Sequence, residues 1–167
     1  MPVLVFKTIK PKRLQEKEMK RVIRNAMKRV GYGIQKDFES TTATWDHKPK
    51  FSVTTTISGD DSPAVLVGTD DEIYGYVSGG TSAHIIRPKR ARALRFQKTY
   101  TAKTVPGVIG SKAGGPSGPA VYAQEVHHPG TKARRFDQII QKKWQPRFKR
   151  EIEAAMKEAR LVSGNAL

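Results

Sequence analysis

The 167-residue sequence contains no cysteine, which excludes a disulfide framework, a thiol nucleophile and a cysteine-ligated metal. It has no uninterrupted run of 18 apolar residues, so no segment reads as a transmembrane helix. The apolar run at residues 2–6 is too short for the core of a signal peptide. We therefore expect a single domain, residues 1–167, made in the cytoplasm and held by packing, hydrogen bonds and partner subunits.

Acidic residues are scarce, with 15 Asp and Glu against 31 Lys and Arg, and the net charge is +16. The charge changes sign along the chain: +8 over residues 1–50, −5 over 51–80, +10 over 81–135 and +3 over 136–167. A strong excess of positive charge is typical of proteins that bind nucleic acid or an acidic protein surface. The alternating blocks also favour head-to-tail contacts between copies of the chain.

The negative block contains no basic residue, and its carboxylates occur in two groups. They form a candidate acidic contact patch between copies or, as an alternative that does not exclude it, polar turns between strands. The residues of this patch are Asp60, Asp61, Asp70, Asp71 and Glu72.

Apolar residues at helical spacing predict a helix over residues 11–30, with Pro11 in its first turn and Gly31 at its end. Basic residues on another face form a stripe about four turns long. We interpret this stripe as a surface facing an anion or, alternatively, as an ordinary solvated face. Its residues are Arg13, Lys17, Lys20, Arg24 and Lys28.

Alternating apolar and polar residues predict strands over residues 51–57, 64–67, 73–77, 93–96 and 120–126. Short turns between them favour antiparallel pairing. Residues 103–119 are rich in glycine and proline and predict a flexible loop or arm. A four-residue apolar repeat beginning at Phe136 predicts a carboxyl-terminal helix, which Pro146 kinks or divides into two, and residues 162–167 are expected to fray. The predicted fold class is α+β, an antiparallel sheet packed by these terminal helices.

The sequence contains no recognisable catalytic or metal-binding motif. His127 and His128 are adjacent on a predicted strand and form a poor chelate, and His47 and His84 fit no ligand spacing. The segment Gly110-Ser-Lys-Ala-Gly-Gly lacks the spacing of a phosphate-binding loop. We therefore expect neither an enzyme nor a metal or cofactor.

Nucleic-acid binding without catalysis is the alternative function. Residues 87–95 contain five basic groups, and the candidate contact residues among them are Arg87, Lys89, Arg90 and Arg92. Aromatic residues that would stack on bases also fit core positions. They are Tyr74, Tyr76, Phe96, Tyr100 and Tyr122.

Three ordered blocks carry a resemblance to a known family. Residues 76–89 read YVSGGTSAHIIRPK, residues 93–96 read ALRF, and residues 126–136 read VHHPGTKARRF. The chain resembles the neck, or tail-completion, proteins that join head to tail in long-tailed bacteriophages, over residues from about 45 to 159. The family more often has proline at the position of Arg135, and its connection corresponding to residues 103–119 is usually shorter. The motif residues are Gly79, Gly80, Thr81, Pro88, His128, Pro129, Gly130 and Thr131.

The resemblance implies a structural virion subunit that forms a ring, with a hexamer favoured, at the head–tail junction. It implies contacts with the head connector or stopper and with the tail tube or tail terminator, and a channel for genomic DNA. The motif residues are themselves suited to turns and packing: glycines relieve steric conflict and prolines fix φ. No membrane partner is expected.

Overall fold

A computed structural model describes residues 16–56 and 64–162. Along the chain, a helix is followed by a strand pair and a short helix. Two further strand pairs follow, the second nested within the first, and a long helix ends the described chain. The bounds are α1 Glu16–Thr41, β1 Ser52–Thr56, β2 Ala64–Gly68, α2 Glu72–Gly79, β3 His84–Ile86, β4 Leu94–Thr101, β5 Gly115–Ala123, β6 Val126–His128 and α3 Phe136–Val162. The α+β class and the antiparallel pairing are confirmed, although the strands form three two-stranded ladders, β1–β2, β3–β6 and β4–β5.

Helix α1 differs from the prediction because it continues past Gly31 to Thr41. A Cβ at Gly31 would lie 2.5 Å from the Cγ1 of Val53, and one at Gly33 would lie 2.2 Å from the ring of Trp144. These glycines therefore allow β1 and α3 to approach the helix closely, and Gly31 does not end it. The predicted start at residues 11–15 lies outside the described residues.

Residues 73–77 were predicted as a strand, and this prediction is wrong. They belong to α2, whose amino-terminal residue Asp71 accepts a hydrogen bond from the N–H of Tyr74 at 2.7 Å through its side chain. Because Tyr74 and Val77 are one helical turn apart, both face the core, with Tyr74 buried and Val77 half-buried.

Helices α1 and α3 pack together along two apolar clusters. At one end, Val22 and Ala26 meet Ala155 and Ala159, whose small side chains allow a close approach. At the other end, the larger cluster includes residues from both helices, α2 and the loops. Its buried members are Phe38, Phe51, Tyr74, Phe136 and Ile140.

Asp37 of α1 links the two long helices between these clusters. Its carboxylate accepts hydrogen bonds from the indole N–H of Trp144 at 2.6 Å and from the Lys143 ammonium at 2.8 Å. Pro146 lies inside α3, which remains one helix, so of the two predicted alternatives the division into two helices is wrong. Of the predicted frayed tail, Val162 ends α3, and residues 163–167 lie outside the described residues.

Tyr74 lies at the centre of the larger cluster. Among residues 16–56 and 64–162, its buried phenol oxygen finds no hydrogen-bond partner of regular geometry, and the Thr41 hydroxyl beside it only partly offsets the effect of burial on its pKa. Burial raises the pKa of Tyr74 well above its ordinary value. Because an unsatisfied buried hydroxyl destabilises the fold, we expect Tyr74→Phe to increase the free energy of unfolding by about 1 kcal/mol. Urea denaturation measures the change, and a loss of stability would show that the hydroxyl makes a useful contact.

The strand registers reveal that β3–β6 and β4–β5 are successive parts of one long hairpin, which we call the ribbon. Thr81 pairs with Thr131, β3 with β6 and β4 with β5, always between residues 81–101 and residues 115–131. Residues 87–93 are inserted on one side, opposite only residues 124–125 on the other. We call this inserted segment the bulge loop.

The flexible loop was predicted over residues 103–119, but this prediction is wrong for residues 115–119, which belong to β5. The predicted strand at residues 120–126 is likewise divided between β5 and β6. The remaining segment, residues 102–114, is the tip of the ribbon. Ser111 ties this tip to α1 by donating a hydrogen bond to the Ser40 carbonyl at 3.1 Å and accepting one from the Thr44 N–H at 3.1 Å.

Candidate interaction surface

The two glycine-containing motif blocks meet at the base of the ribbon, which we call the joint. Thr81 and Thr131 exchange two backbone hydrogen bonds, each 3.0 Å long. Gly80 has a φ of 78° and Gly130 a φ of 90°. A Cβ on Gly130 would lie 2.3 Å from the Thr81 carbonyl oxygen, and one on Gly80 would lie 2.7 Å from that of Thr131. Both positions therefore require glycine for conformation and for space.

Ser78 connects the joint to the first turn of α3. Its carbonyl accepts hydrogen bonds from the N–H groups of Arg134 and Arg135 at 3.1 and 2.9 Å, and its hydroxyl accepts one from the Phe136 N–H at 3.2 Å. Arg135 adopts a φ of 55°, which a proline ring cannot reach. A proline at position 135 would therefore require a different entry of the chain into α3.

The motif histidine also has a structural role. The Nδ1 of His128 accepts a hydrogen bond from the Gly130 N–H at 3.0 Å, which helps to shape the turn at Pro129. Its ring stacks on that of His84 with centroids 4.9 Å apart. Within residues 16–56 and 64–162, no group of three His, Asp or Glu side chains is placed to hold a metal ion, and no helix is long and apolar enough to span a membrane.

The predicted acidic patch is only partly described, because Asp60 and Asp61 lie outside the described residues. Asp70 and Glu72 are exposed. Asp71 is already engaged, since its carboxylate accepts the Tyr74 N–H and a hydrogen bond from the Nε2 of His47. Asp71 lies between β2 and α2 and begins the helix, whereas the alternative interpretation placed it in a turn between two strands.

The environment of Asp71 predicts an acid-dependent loss of stability. The hydrogen bond from His47, followed by that from the Tyr74 N–H, holds the pKa of Asp71 below its usual value. The unfolded chain therefore takes up this proton first, and stability present above the ordinary Asp pKa is lost as the pH falls through the lowered folded value. We expect Asp71→Asn to flatten the acid side of a plot of unfolding free energy against pH. Asp70→Asn is the matched control, and equal slopes in both variants would contradict the assignment.

The predicted basic stripe follows α1, with Arg13 outside the described residues. Lys17, Arg24 and Lys28 are exposed, whereas Lys20 is half-buried and forms an ion pair with Glu16 one turn away. The stripe and the other candidate basic group lie on separate elements, because the second group belongs to the bulge loop.

The bulge loop contains all four candidate basic residues of residues 87–95. Arg87 closes its base by donating hydrogen bonds from Nε and a terminal nitrogen to Glu125 at 2.9 and 2.6 Å. This contact is the largest cause of the lowered pKa of Glu125. Within the described ranges, Lys89, Arg90 and Arg92 are exposed and take part in no ion pair.

The tip of the ribbon returns to the joint, so the ribbon forms an arch. Arg134, three residues beyond Thr131, donates a hydrogen bond from Nε to the hydroxyl of buried Thr104 at 3.2 Å. Base and tip therefore both contact the body, and the bulge loop interrupts the strand pairing between them. A cleft of about 350 Å³ lies between the body and the returning strands. Its lining includes Trp45, His47, Val77, Tyr100, Lys103 and Arg134.

Sequence reasoning missed the residues that close this arch. Ser78, Thr104 and Ser111 act through single hydroxyls at positions distant in sequence, and no local pattern marks such contacts. Of the aromatic residues for which both base stacking and a core position were predicted, Tyr74 is buried in the core. Tyr76, Phe96, Tyr100 and Tyr122 are exposed.

In comparison with known proteins, no family model, no curated protein and no solved structure matches this chain. The joint, the arched ribbon and the distribution of charge are therefore the features that indicate its function.

Proposed function

We propose that this chain is a structural virion protein of the head–tail junction in a long-tailed bacteriophage. Copies form a ring, for which we favour a hexamer, between the head connector or stopper and the tail tube or tail terminator. The ring encloses the channel through which genomic DNA passes. The single observation that carries the proposal is the arched ribbon, whose motif residues form its base and whose length is largely exposed.

The joint supports a structural role because its motif residues shape the backbone. Gly80 and Gly130 permit the close crossing of two chain segments, and His128 accepts a backbone N–H with its ring nitrogen. These are the roles expected of a building block in which the direction of the ribbon relative to the helices must be fixed.

The ribbon supports association with neighbours because it is poorly covered in the monomer. A two-stranded hairpin is marginally stable in water on its own and gains from packing against another surface. Large apolar side chains remain exposed along it, including Phe96 at 40%, Tyr100 at 66% and Tyr122 at 66%. In a ring, the adjacent copy supplies the surface that covers them.

Deletion of the gene from its phage tests the proposal. We expect infected cells to accumulate DNA-filled heads and separate tails, and we expect purified protein added to the lysate to restore joined, infectious particles. Mass spectrometry of wild-type particles should detect the chain. Normal particles after deletion, or wild-type particles that lack the chain, would contradict the proposal.

Two tyrosine variants make the test specific to the ribbon. Tyr122→Ala removes an exposed ring from β5, whereas Tyr32→Ala removes one from α1 that is 56% exposed. We expect both variants to fold, and only Tyr122→Ala to lose the ability to join heads to tails. Equal activity of the two proteins would show that this face of the ribbon is not the contact surface.

The second candidate is a basic nucleic-acid-binding protein without catalytic activity, which the unpaired cations of the bulge loop favour. Such a protein would act on DNA or RNA in the infected cell and would be absent from finished particles. The deletion experiment distinguishes the candidates, because loss of this protein would not leave complete heads beside complete tails.

A further inference from the structure

We infer that the bulge loop, residues 87–93, is a contact element for the phosphate backbone of duplex DNA. This inference rests on the proposed function, since the genome in the channel supplies the duplex. Three features of the ribbon support it: a charge of one sign, the exposure of the loop cations and a further exposed cation on the adjoining strand.

The charge of the ribbon and its tip has one sign over a long stretch. Residues 87–124 contain eight basic residues and no acidic residue. The first carboxylate after this stretch, Glu125, is already occupied by Arg87 and lies 2.8 Å from the Nε2 of His127. The cations of the bulge loop therefore have no acidic neighbour within the ribbon to neutralise them, and phosphate groups would supply the missing charge.

The position of the loop makes these cations accessible. The base and tip of the ribbon both contact the body, and the loop lies between them along the ribbon. The contact of Arg87 with Glu125 fixes the first residue of the loop to the opposite strand, and Lys89, Arg90 and Arg92 beyond it are exposed. A two-stranded ribbon is also narrow enough to enter the major groove of B-form DNA.

Arg95 and Tyr122 extend the surface from the loop onto the adjoining strands. They are directly paired across β4 and β5, so their side chains share one face of the ribbon. Both are exposed. The guanidinium group of Arg95 offers a further charge to phosphates beside the loop, next to Tyr122, which the adjacent copy covers in the proposed ring. Such phosphate contacts position a protein on DNA without reading its sequence.

An acidic protein surface is the competing partner. Arginine is enriched in protein interfaces, so the composition of the loop alone fits both partners. The uninterrupted run of positive charge over residues 87–124 favours the regularly spaced phosphates of a duplex, and the polyglutamate competition described below separates the two.

Binding of a labelled duplex DNA to the full chain, followed by fluorescence anisotropy at several salt concentrations, tests the inference. The loop variant combines Lys89→Gln, Arg90→Gln and Arg92→Gln. The matched control combines Lys36→Gln, Lys142→Gln and Lys157→Gln, which removes the same charge from exposed positions on α1 and α3. Circular dichroism confirms that both variants retain the fold.

We expect the wild-type chain and the control to lose affinity steeply as salt rises, and the loop variant to bind weakly with a smaller slope. Loss of three phosphate contacts reduces the slope of log affinity against log salt by about 2.7. Between about 50 and 200 mM salt, the wild-type chain should therefore lose roughly 40-fold more affinity than the loop variant.

Three outcomes would overturn the inference. The first is an equal salt slope for the loop variant and the wild-type chain. The second is an equal loss of DNA affinity in the loop variant and the control. The third is displacement of the DNA by polyglutamate at equal charge concentration, which would indicate an acidic protein partner. Head–tail joining is scored separately with the same proteins. Normal joining of heads to tails after deletion of the gene would contradict the proposed function, whereas unchanged DNA binding by the loop variant would contradict this inference alone.

Discussion

Replacing Gly80 with alanine is expected to destabilise the chain by about 2–4 kcal/mol and to prevent assembly, whereas the same change at the adjacent Gly79 is expected to be harmless. At Gly80 the backbone has a φ of 78°, and a Cβ would meet the Thr131 carbonyl oxygen at 2.7 Å and the Ala133 nitrogen at 2.8 Å. The cost combines a left-handed conformation of an L-residue with a collision against backbone atoms that cannot rotate away.

Gly79 is the matched control for this change. It ends α2, and no atom lies within 4 Å of a Cβ built there. Alanine at this position should be neutral or raise stability by up to about 1 kcal/mol, because it restricts the unfolded chain and favours the helix. Urea denaturation of both variants measures the difference. Similar stability of the two proteins would show that the joint tolerates movement of the crossing segments.

The joint gives this prediction a functional readout. The ribbon is directed by the crossing of Gly80 and Gly130, so a shift there alters where the bulge loop and the exposed tyrosines lie relative to the helices. The Gly80→Ala protein should therefore join heads to tails poorly even at temperatures at which it remains folded. The Gly79→Ala protein should join them at the wild-type level.

The long helices and the fold class were predictable because their apolar periodicity extends over many residues. The end of α1 was not, because glycine was interpreted as a stop signal, and its role at Gly31 and Gly33 depends on Val53 and Trp144, which approach from distant parts of the chain. A glycine weakens a helix locally whether it ends the helix or lies inside it, so only tertiary packing decides which of the two roles it takes.

Helix α2 was missed because a short segment with apolar residues at positions 73, 74 and 77 fits both an alternating and a helical period. The side chain of Asp71 resolves the ambiguity by satisfying the Tyr74 N–H at the start of the helix. A preceding aspartate was visible in the sequence, but the same residue is common in turns between strands.

Gly80 and Gly130 have the positive φ expected of turn glycines, whereas Gly79, also predicted as a turn residue, ends α2 with open space beside it. The crossing of the segments that contain Gly80 and Gly130 could not be inferred from spacing. The pairing of Thr81 with Thr131 joins positions separated by a bulge loop, two strand pairs and a long tip. The basic residues at 87–95 were visible as a charged run in the sequence. Their division between the bulge loop and β4 depends on the pairing registers of β3 and β4 with distant strands, which the sequence alone does not show.

Replacing Phe136 with alanine is expected to lower the free energy of unfolding by about 3–5 kcal/mol, the usual cost of deleting a fully buried aromatic ring. Phe136 is 0% exposed and stacks on Tyr74 with ring centroids 5.7 Å apart, and its N–H binds the Ser78 hydroxyl at the start of α3. The cavity would therefore open where α2, α3 and the joint meet.

Two further variants keep the test of Phe136 decisive. Phe136→Leu, which retains much of the volume, should cost about 1–2 kcal/mol and remain folded. Phe96→Ala removes the same ring from the ribbon, where it is 40% exposed, and should cost less than about 1 kcal/mol. The free energies come from urea denaturation, with joining of heads to tails as the second readout. If Phe96→Ala were the more destabilising change, the main core would lie beneath the ribbon, and the ribbon would not be a surface left uncovered for a neighbouring copy.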